Sequence, residues 1–329
     1  MVFGPEDYSV NDHGIVQLSP RLRTWAGSND GFRLHWLHHV ISKELYHNAL
    51  DPSSEDSCPT NLEANGVSMK PELLAQKHCT SFSEFIDSHC SRTRQESHGK
   101  TKTSFNVSWS HQSGALFRQA LPEIFNQTVT KEITSYYGCH FQILSANLTR
   151  LLPDSELGDS FLWHRDYEPP QQLHMLVYLS GASDQQGTTH VLDLEATRRA
   201  AIKGYSYPKV KDRRSNVDDV FGELVDKSII LKPELSPGGG MILAAPRVLH
   251  KGIRPRDGFR DVLLLILMPS PVPWTERAKI NLRTVLQNGK NYNVGYIDPF
   301  DTITRIENLG GAPNWAHQCE MFPPESEQT

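Results

Sequence analysis

From about residue 139 onward the chain reads as a succession of short strands separated by Pro and Gly, with room for only one helix among them. The runs CHFQILSANLTRLL, LHMLVYLS, GTTHVLDL, KSIILKPEL, GGMILAAP, VLHKGIRP and RDVLLLILMP are apolar, rich in strand-forming residues and bounded by turn residues. Parallel neighbours would each need a crossover connection, usually a helix, and only LEATRRAAIKG (194–204) offers one. Short strands punctuated in this way predict an all-β core, a barrel or two-sheet jelly roll, with flanking α-helices.

The flanks are read from their own patterns. GFRLHWLHHVISKELYHNAL (31–50) carries apolar residues at helical spacing. Its four histidines (His35, His38, His39, His47) read as ordinary polar or interfacial residues rather than ligands. Residues 51–105, rich in Ser, Asp, Glu, Lys and Cys, are expected to be irregular apart from one short helix at SFSEFIDSHC. GALFRQALPEIFNQTVTKEITSYYG (114–138) predicts one or two helices broken near Pro122. The expected organisation is one structural domain. Residues 1–136 form a flank, 137–270 a core with a lid-like insertion at 195–227, and 271–329 a C-terminal extension.

Composition narrows the class of partner. A net charge of −5 with interspersed signs gives no reason to expect nucleic-acid binding, and no apolar run is long enough for a membrane span. MVFGPEDYSVNDHG lacks a basic start followed by an apolar run, so no secretory signal is expected. The five cysteines (Cys58, Cys79, Cys90, Cys139, Cys319) form no CxxC pair, which favours free thiols and a cytoplasmic setting. The two His-Cys pairs at 78–79 and 89–90 match no common zinc spacing.

The chemistry concentrates in FLWHRDYEPP. On a strand, His164 and Asp166 point to the same face, Arg165 points away from it and Trp163 packs. With His250 of RVLHKG they make two imidazoles and one carboxylate, a set that holds a divalent iron and leaves open positions. The plain alternative is that His164 and Asp166 pair with each other or with Arg165 in a surface loop. His174, in the following run, reads as a core residue.

WHRD (163–166), GTT (187–189), LH (249–250) and Arg260, ten residues after His250, together resemble the Fe(II)/2-oxoglutarate-dependent dioxygenase superfamily. The spacing is nearest to its phytanoyl-CoA dioxygenase-like branch. The resemblance covers roughly residues 137–270. It implies a double-stranded β-helix (cupin-like jelly roll) and Fe(II) held by His164, Asp166 and His250. It further implies 2-oxoglutarate as cosubstrate with its distal carboxylate on Arg260, and O₂ as oxidant. The implied activity is hydroxylation, desaturation or oxidative cyclisation of a small molecule with release of succinate and CO₂. Asp166 keeps the carboxylate that related halogenases lack. Val262 stands where the family often has a hydroxyl, so a second cosubstrate contact is expected from Tyr178, Thr189 or Gln142, each of which also has an ordinary structural reading. Independently of the family, a guanidinium in an apolar strand needs an anionic partner. For Arg260 that partner is either a ligand or a neighbouring Asp257 or Asp261.

Two finer expectations follow. A three-residue loop, Arg256-Asp257-Gly258 with Gly258 left-handed, would pair 255 with 259 and turn Arg260 to the face of His250, with Arg254 opposite it. The basic stretch RRAAIKGYSYPKVKDRR (198–214), with Arg247, Lys251, Arg254 and Arg256, predicts either a solvated face or attraction of an anionic substrate. Arg254, Arg247 and Tyr167 are its candidate contacts. The expected molecule is a monomer or homodimer. The competing class is a non-catalytic or zinc-bound jelly-roll ligand binder, which has no use for a carboxylate clamp at Arg260. A zinc hydrolase would need a general base for which no separate candidate stands out.

Overall fold

The structure, a computed structural model of the chain, describes residues 4–11, 16–26, 31–49, 60–96, 104–153, 158–222, 229–288, 297–298 and 300–305. The first part holds strands β1 (Tyr8–Val10) and β2 (Val16–Leu18), helices α1 (Pro20–Ala26), α2 (Gly31–Ala49) and α3 (Asn61–Asn65), and strand β3 (Val67–Lys70). It continues with α4 (Gln76–Glu96), β4 (Ser104–Val107), α5 (His111–Ile124) and α6 (Gln127–Tyr137). The strand-rich part runs β5 (His140–Leu151), β6 (Leu173–Tyr178), β7 (Thr189–Leu192), α7 (Leu194–Ile202), α8 (Asp218–Phe221), β8 (Ile230–Leu231), β9 (Gly240–Leu243), β10 (His250–Gly252) and β11 (Arg260–Ser270). Helix α9 (Trp274–Asn288) and the pair β12 (Ile297–Asp298) and β13 (Asp301–Arg305) follow.

Every strand pair among the described residues is antiparallel, as the shortage of crossover helices requires. Six strands form one sheet in the order β3-β9-β6-β11-β5-β4, and three form a second in the order β10-β7-β8. From β5 onward the chain passes repeatedly between the two: β5 and β6 lie in the large sheet, β7 and β8 in the small, β9 in the large, β10 in the small and β11 in the large.

Alternation along β11 sorts the core. Leu263, Leu265 and Leu267 pack with Met175, Val177, Phe82, Phe117 and Ile133 under the helices. Val262 packs inward with Tyr178, Val191, Met241 and Leu243, between the sheets. Each such leucine contributes about 1.5–3 kcal/mol on burial. The back of the small sheet is closed by α7, where Leu192, Ala196, Ala200, Trp163 and Leu249 meet. Asp193 starts α7 by accepting the Ala196 N–H at 2.7 Å, and Asn126 starts α6 by accepting that of Val129 at 3.1 Å.

Three expectations need correction. Residues 60–96 are not irregular: Cys79, Phe82 and Ile86 recur at helical spacing and are fully buried, so α4 is a long core helix and β3 an edge strand of the large sheet. The helical break expected near Pro122 falls after it, because Pro122 lies within α5 and Asn126 caps the next helix. Gly258 is left-handed (φ 71°), but β10 and β11 form no ladder with each other; they belong to different sheets, and residues 253–259 carry the chain across. None of the described helices is long and apolar enough to cross a membrane. Cys58 and Cys319 lie outside the described residues.

Candidate metal centre

His164 and His250 are brought together by backbone pairing. The His164 N–H donates to the His250 carbonyl at 3.0 Å, and the His250 N–H returns to the His164 carbonyl at 2.8 Å. On its other edge, β10 pairs with β7, His250 facing Val191. Since Val191 points between the sheets, both imidazoles do too, and their ring centroids lie 4.4 Å apart. Asp166 follows where the chain leaves the small sheet, its N–H donating to the Ala245 carbonyl at 3.3 Å.

The three side chains converge. Asp166 Oδ1 is 3.4 Å from His164 Nε2, and Oδ2 is 3.6 Å from His250 Nε2. One ligand atom from each lies within 4.8 Å of the other two. Ligands at right angles about 2.1 Å from one ion are about 3 Å apart, so this spacing fits a shared divalent metal better than direct hydrogen bonds. The other imidazole nitrogens are committed: His164 Nδ1 faces the Leu162 carbonyl at 2.6 Å and His250 Nδ1 the Val248 carbonyl at 3.1 Å. A carbonyl only accepts, so each Nδ1 carries the hydrogen and each Nε2 presents its lone pair to the shared point.

The electrostatics agree with that donor set. Burial pushes the Asp166 carboxyl up, but the imidazoles of His250, His164 and His174 outweigh it and hold the group well below the usual carboxylate range. Burial pulls His250 down to about 4, against the pull of Asp166, so at neutral pH it is a neutral imidazole. A carboxylate and neutral imidazoles are the forms a metal takes.

Behind Asp166 stands a pair that the sequence reading missed. His174 Nδ1 lies 3.5 Å from Asp166 Oδ2, and His174 Nε2 meets Glu168 Oε2 at 2.7 Å. Asp166, Glu168 and His174 form a second group of metal-binding residue types, but the short contact commits His174 and Glu168 to each other. Strand parity alone puts His174 on the inward face with Tyr178; no sequence signal marks Glu168. Arg165 points away as expected, its Nε donating to the Ser206 carbonyl at 2.8 Å and its guanidinium lying 3.7 Å from the Tyr207 ring centroid.

Arg260 lies between the sheets, half-buried as a residue but with its Nε inaccessible to solvent. Its Nη1 donates to the carbonyls of Thr188 (2.5 Å) and Ile253 (3.3 Å), residues whose backbones also pair with each other. Its Nε has no partner among the described residues, and neither have the neighbouring Tyr178 hydroxyl and the Thr188 hydroxyl. The carboxylate alternatives do not serve it. Asp261 is held by Arg150 at 2.6 and 2.7 Å, and no ion pair joins Arg260 to Asp257. Burial lowers the guanidinium below its ordinary value with only Tyr178 acting against this. Gly187 (φ 82°) lets the Thr188 segment approach this far: a Cβ there would fall 2.7 Å from Pro255 N and 2.9 Å from the Ile253 carbonyl oxygen.

The remaining candidates separate. Thr189 shares the inward face with Gly252 and Val191. Gln142 is inward but pairs with Met268, at the far end of β11 from Arg260. Arg254 does not oppose Arg260. It lies by the Phe161 ring and lines a groove of about 560 Å³ with Lys251, Ser215 and Arg256. Arg247 donates to the Tyr136 hydroxyl at 2.9 Å, and Tyr167 donates to the carbonyls of Tyr207 and Pro208.

No family model matches the chain, and no curated protein does. Among solved structures it is similar to the non-heme monooxygenase ThoJ in its apo form, at 13% identity over 65% of this chain and 78% of that one, with a TM-score of 0.44. It is similar to HygX from Streptomyces hygroscopicus with nickel and 2-oxoglutarate bound, at 12% identity over 63% of this chain and 84% of that one, TM-score 0.43. It is also similar to the non-heme alpha ketoglutarate dependent carbocyclase SnoK from nogalamycin biosynthesis, at 11% identity over 67% and 85%, TM-score 0.41.

Proposed function

We propose that the chain is an Fe(II)- and 2-oxoglutarate-dependent oxygenase of double-stranded β-helix fold, with residues 137–270 as its catalytic core. His164, Asp166 and His250 are the metal ligands, and Arg260 is the anchor for the distal carboxylate of 2-oxoglutarate. The observation that carries this reading is the conjunction of an open two-histidine, one-carboxylate set with a half-buried guanidinium whose inaccessible Nε has no partner, and which meets no carboxylate, among the described residues. A metal-binding module or zinc hydrolase accounts for the first and leaves the second uncompensated in a low-dielectric interior.

When bound, iron and 2-oxoglutarate supply the oxidising chemistry, in which O₂ is consumed, succinate and CO₂ are released and a substrate C–H bond is oxidised. The chain's residues do the rest. Arg260, its Nη1 fixed by two carbonyls, offers its remaining N–H groups to a carboxylate in a desolvated setting where the pair is strong. Tyr178, inward and with its hydroxyl unpartnered among the described residues, supplies a hydroxyl to complete the clamp, with Thr188 and Thr189 as the further candidates. Asp166 fills one metal position, leaving hydroxylation, desaturation or oxidative ring closure as outcomes on a small organic substrate. The buried thiols Cys79 and Cys139, in no disulfide, suit a reducing, cytoplasmic setting.

Anaerobic addition of Fe(II) and then 2-oxoglutarate to the purified protein tests this directly. The expected result is a visible charge-transfer band, and succinate formation once air is admitted. A protein that binds the metal but shows neither band nor succinate is not an oxygenase of this class.

A further inference from the structure

Three buried polar side chains on the inner face of the large sheet have no partner among the described residues: Gln142 at Nε2, Ser145 at Oγ, and Gln172 at both amide atoms. The register places them. Gln142 pairs with Met268 and Ser145 with Ile266, while Ile266 pairs on its other side with His174. Gln172 precedes Leu173 by one, so the alternation puts it on the face of His174. The three therefore stand at the His174 end of the sheet, where His174 meets Asp166, whereas Arg260 stands at the opposite end of β11. Among them, Leu144, Ile266 and Met268, with Leu264, form an apolar cluster of their own.

Resting on the oxygenase reading, we infer that this row is the substrate-recognition edge, and that it selects a neutral, hydrogen-bonding molecule, one presenting hydroxyl or carbonyl groups on an apolar skeleton. Buried amides and hydroxyls without partners are costly in an apolar frame, and a ligand that satisfies them removes that cost. Their chemistry is uncharged: two carboxamides and a hydroxyl offer donors and acceptors but no countercharge, and no Lys or Arg occupies this row. The inference departs from the anionic substrate expected from the basic stretch, three of whose cations donate to backbone carbonyls away from this row. Lys203 donates to the Phe221 carbonyl, Arg213 to that of Asp159, and Lys251 to that of Ser215.

The test uses the anaerobic Fe(II)·2-oxoglutarate protein and a panel of cyclic compounds in matched pairs, each skeleton carrying either a hydroxyl or primary amide or else a carboxylate. Shifts of the charge-transfer band report binding beside the metal, and stimulated succinate formation under air reports productive binding. Neutral members are expected to shift the band, with their carboxylate counterparts at least tenfold weaker. Gln142→Met and Gln172→Met are expected to weaken the neutral ligand about tenfold, with the 2-oxoglutarate midpoint unchanged and the Tm of the ligand-free protein unchanged or raised. A merely structural glutamine would instead lower the Tm and leave ligand affinity alone. Preference for the carboxylate members, no shift by any neutral member, or unchanged affinity in both variants overturns the inference. Absence of the band itself in the wild-type protein overturns the oxygenase reading beneath it, so the two failures are distinct.

Discussion

Arg150 and Asp261 face each other across the β5–β11 ladder and are joined by two hydrogen bonds, Nε to Oδ1 at 2.7 Å and Nη2 to Oδ2 at 2.6 Å. Asp87 takes a further bond from Nη1, and the Phe259 ring lies 3.7 Å from the guanidinium carbon. This fork occupies the one carboxylate that adjoins Arg260 in sequence on its strand. Removing one partner of a buried pair leaves the other uncompensated, at about 3–5 kcal/mol. Asp261→Ala is therefore expected to lower stability by that order in urea titration, and Arg150→Leu with Asp261→Leu by less. A double variant no better than the single one would show the pair to be stabilising in itself.

Arg260→Gln separates clamp from scaffold. It removes a half-buried charge that no carboxylate in the described structure balances, so the Tm of the free protein is expected to hold. In the wild-type protein loaded with Fe(II), 2-oxoglutarate at 100 times its Kd should add about 2.7 kcal/mol of stability. In the variant at the same concentration that protection should vanish. Protection equal in both would place the cosubstrate elsewhere.

The Glu168–His174 pair is expected to act on the metal through Asp166. Outer partners of metal ligands typically control affinity by about 10–100-fold, so His174→Phe and Glu168→Gln should weaken Fe(II) or Ni(II) retention in equilibrium dialysis by that order. His164→Ala or His250→Ala should abolish retention. Retention unchanged in both outer variants would leave the pair no role at the metal.

His38 predicts an acid limb to stability. It is fully buried, with both ring nitrogens unpartnered among the described residues. Burial, the Arg277 guanidinium and the imidazoles of His35 and His39 hold it well below the ordinary histidine range. A depressed histidine stays neutral in the fold while the unfolded chain takes up a proton below about pH 6.5. Its contribution is thus present above that pH and lost below it, at up to about 1.4 kcal/mol per pH unit. Urea midpoints between pH 7.5 and 5.5 should fall less steeply for His38→Leu than for the wild-type protein.

What could be read without coordinates was whatever is local. The seven strands from 139 to 270 and helix α7 lie where their β-branched runs, Pro and Gly put them. His164 and Asp166 share a point, with Arg165 turned away, as period-two geometry requires. What could not be read is which strand pairs with which. The Gly258 turn carries its left-handed residue, yet a turn signal says nothing of the sheet each arm joins, and the hairpin with Arg254 across from Arg260 does not exist. β3 and β4, four residues each, are strands because of remote partners, β9 and β5. His174 was within reach of parity. Glu168, and the unpartnered state of Gln142 and Gln172, arise only when the sheet is assembled.

The mutual hydrogen bonds of His164 and His250 carry one more implication. The two imidazoles belong to segments far apart in the chain, and nothing short of their backbone pairing sets them side by side. An unfolded or half-assembled chain therefore holds no preformed ligand pair, and the ion's binding energy accrues to the finished fold alone. On the oxygenase reading, metal uptake would then report that the two segments have paired.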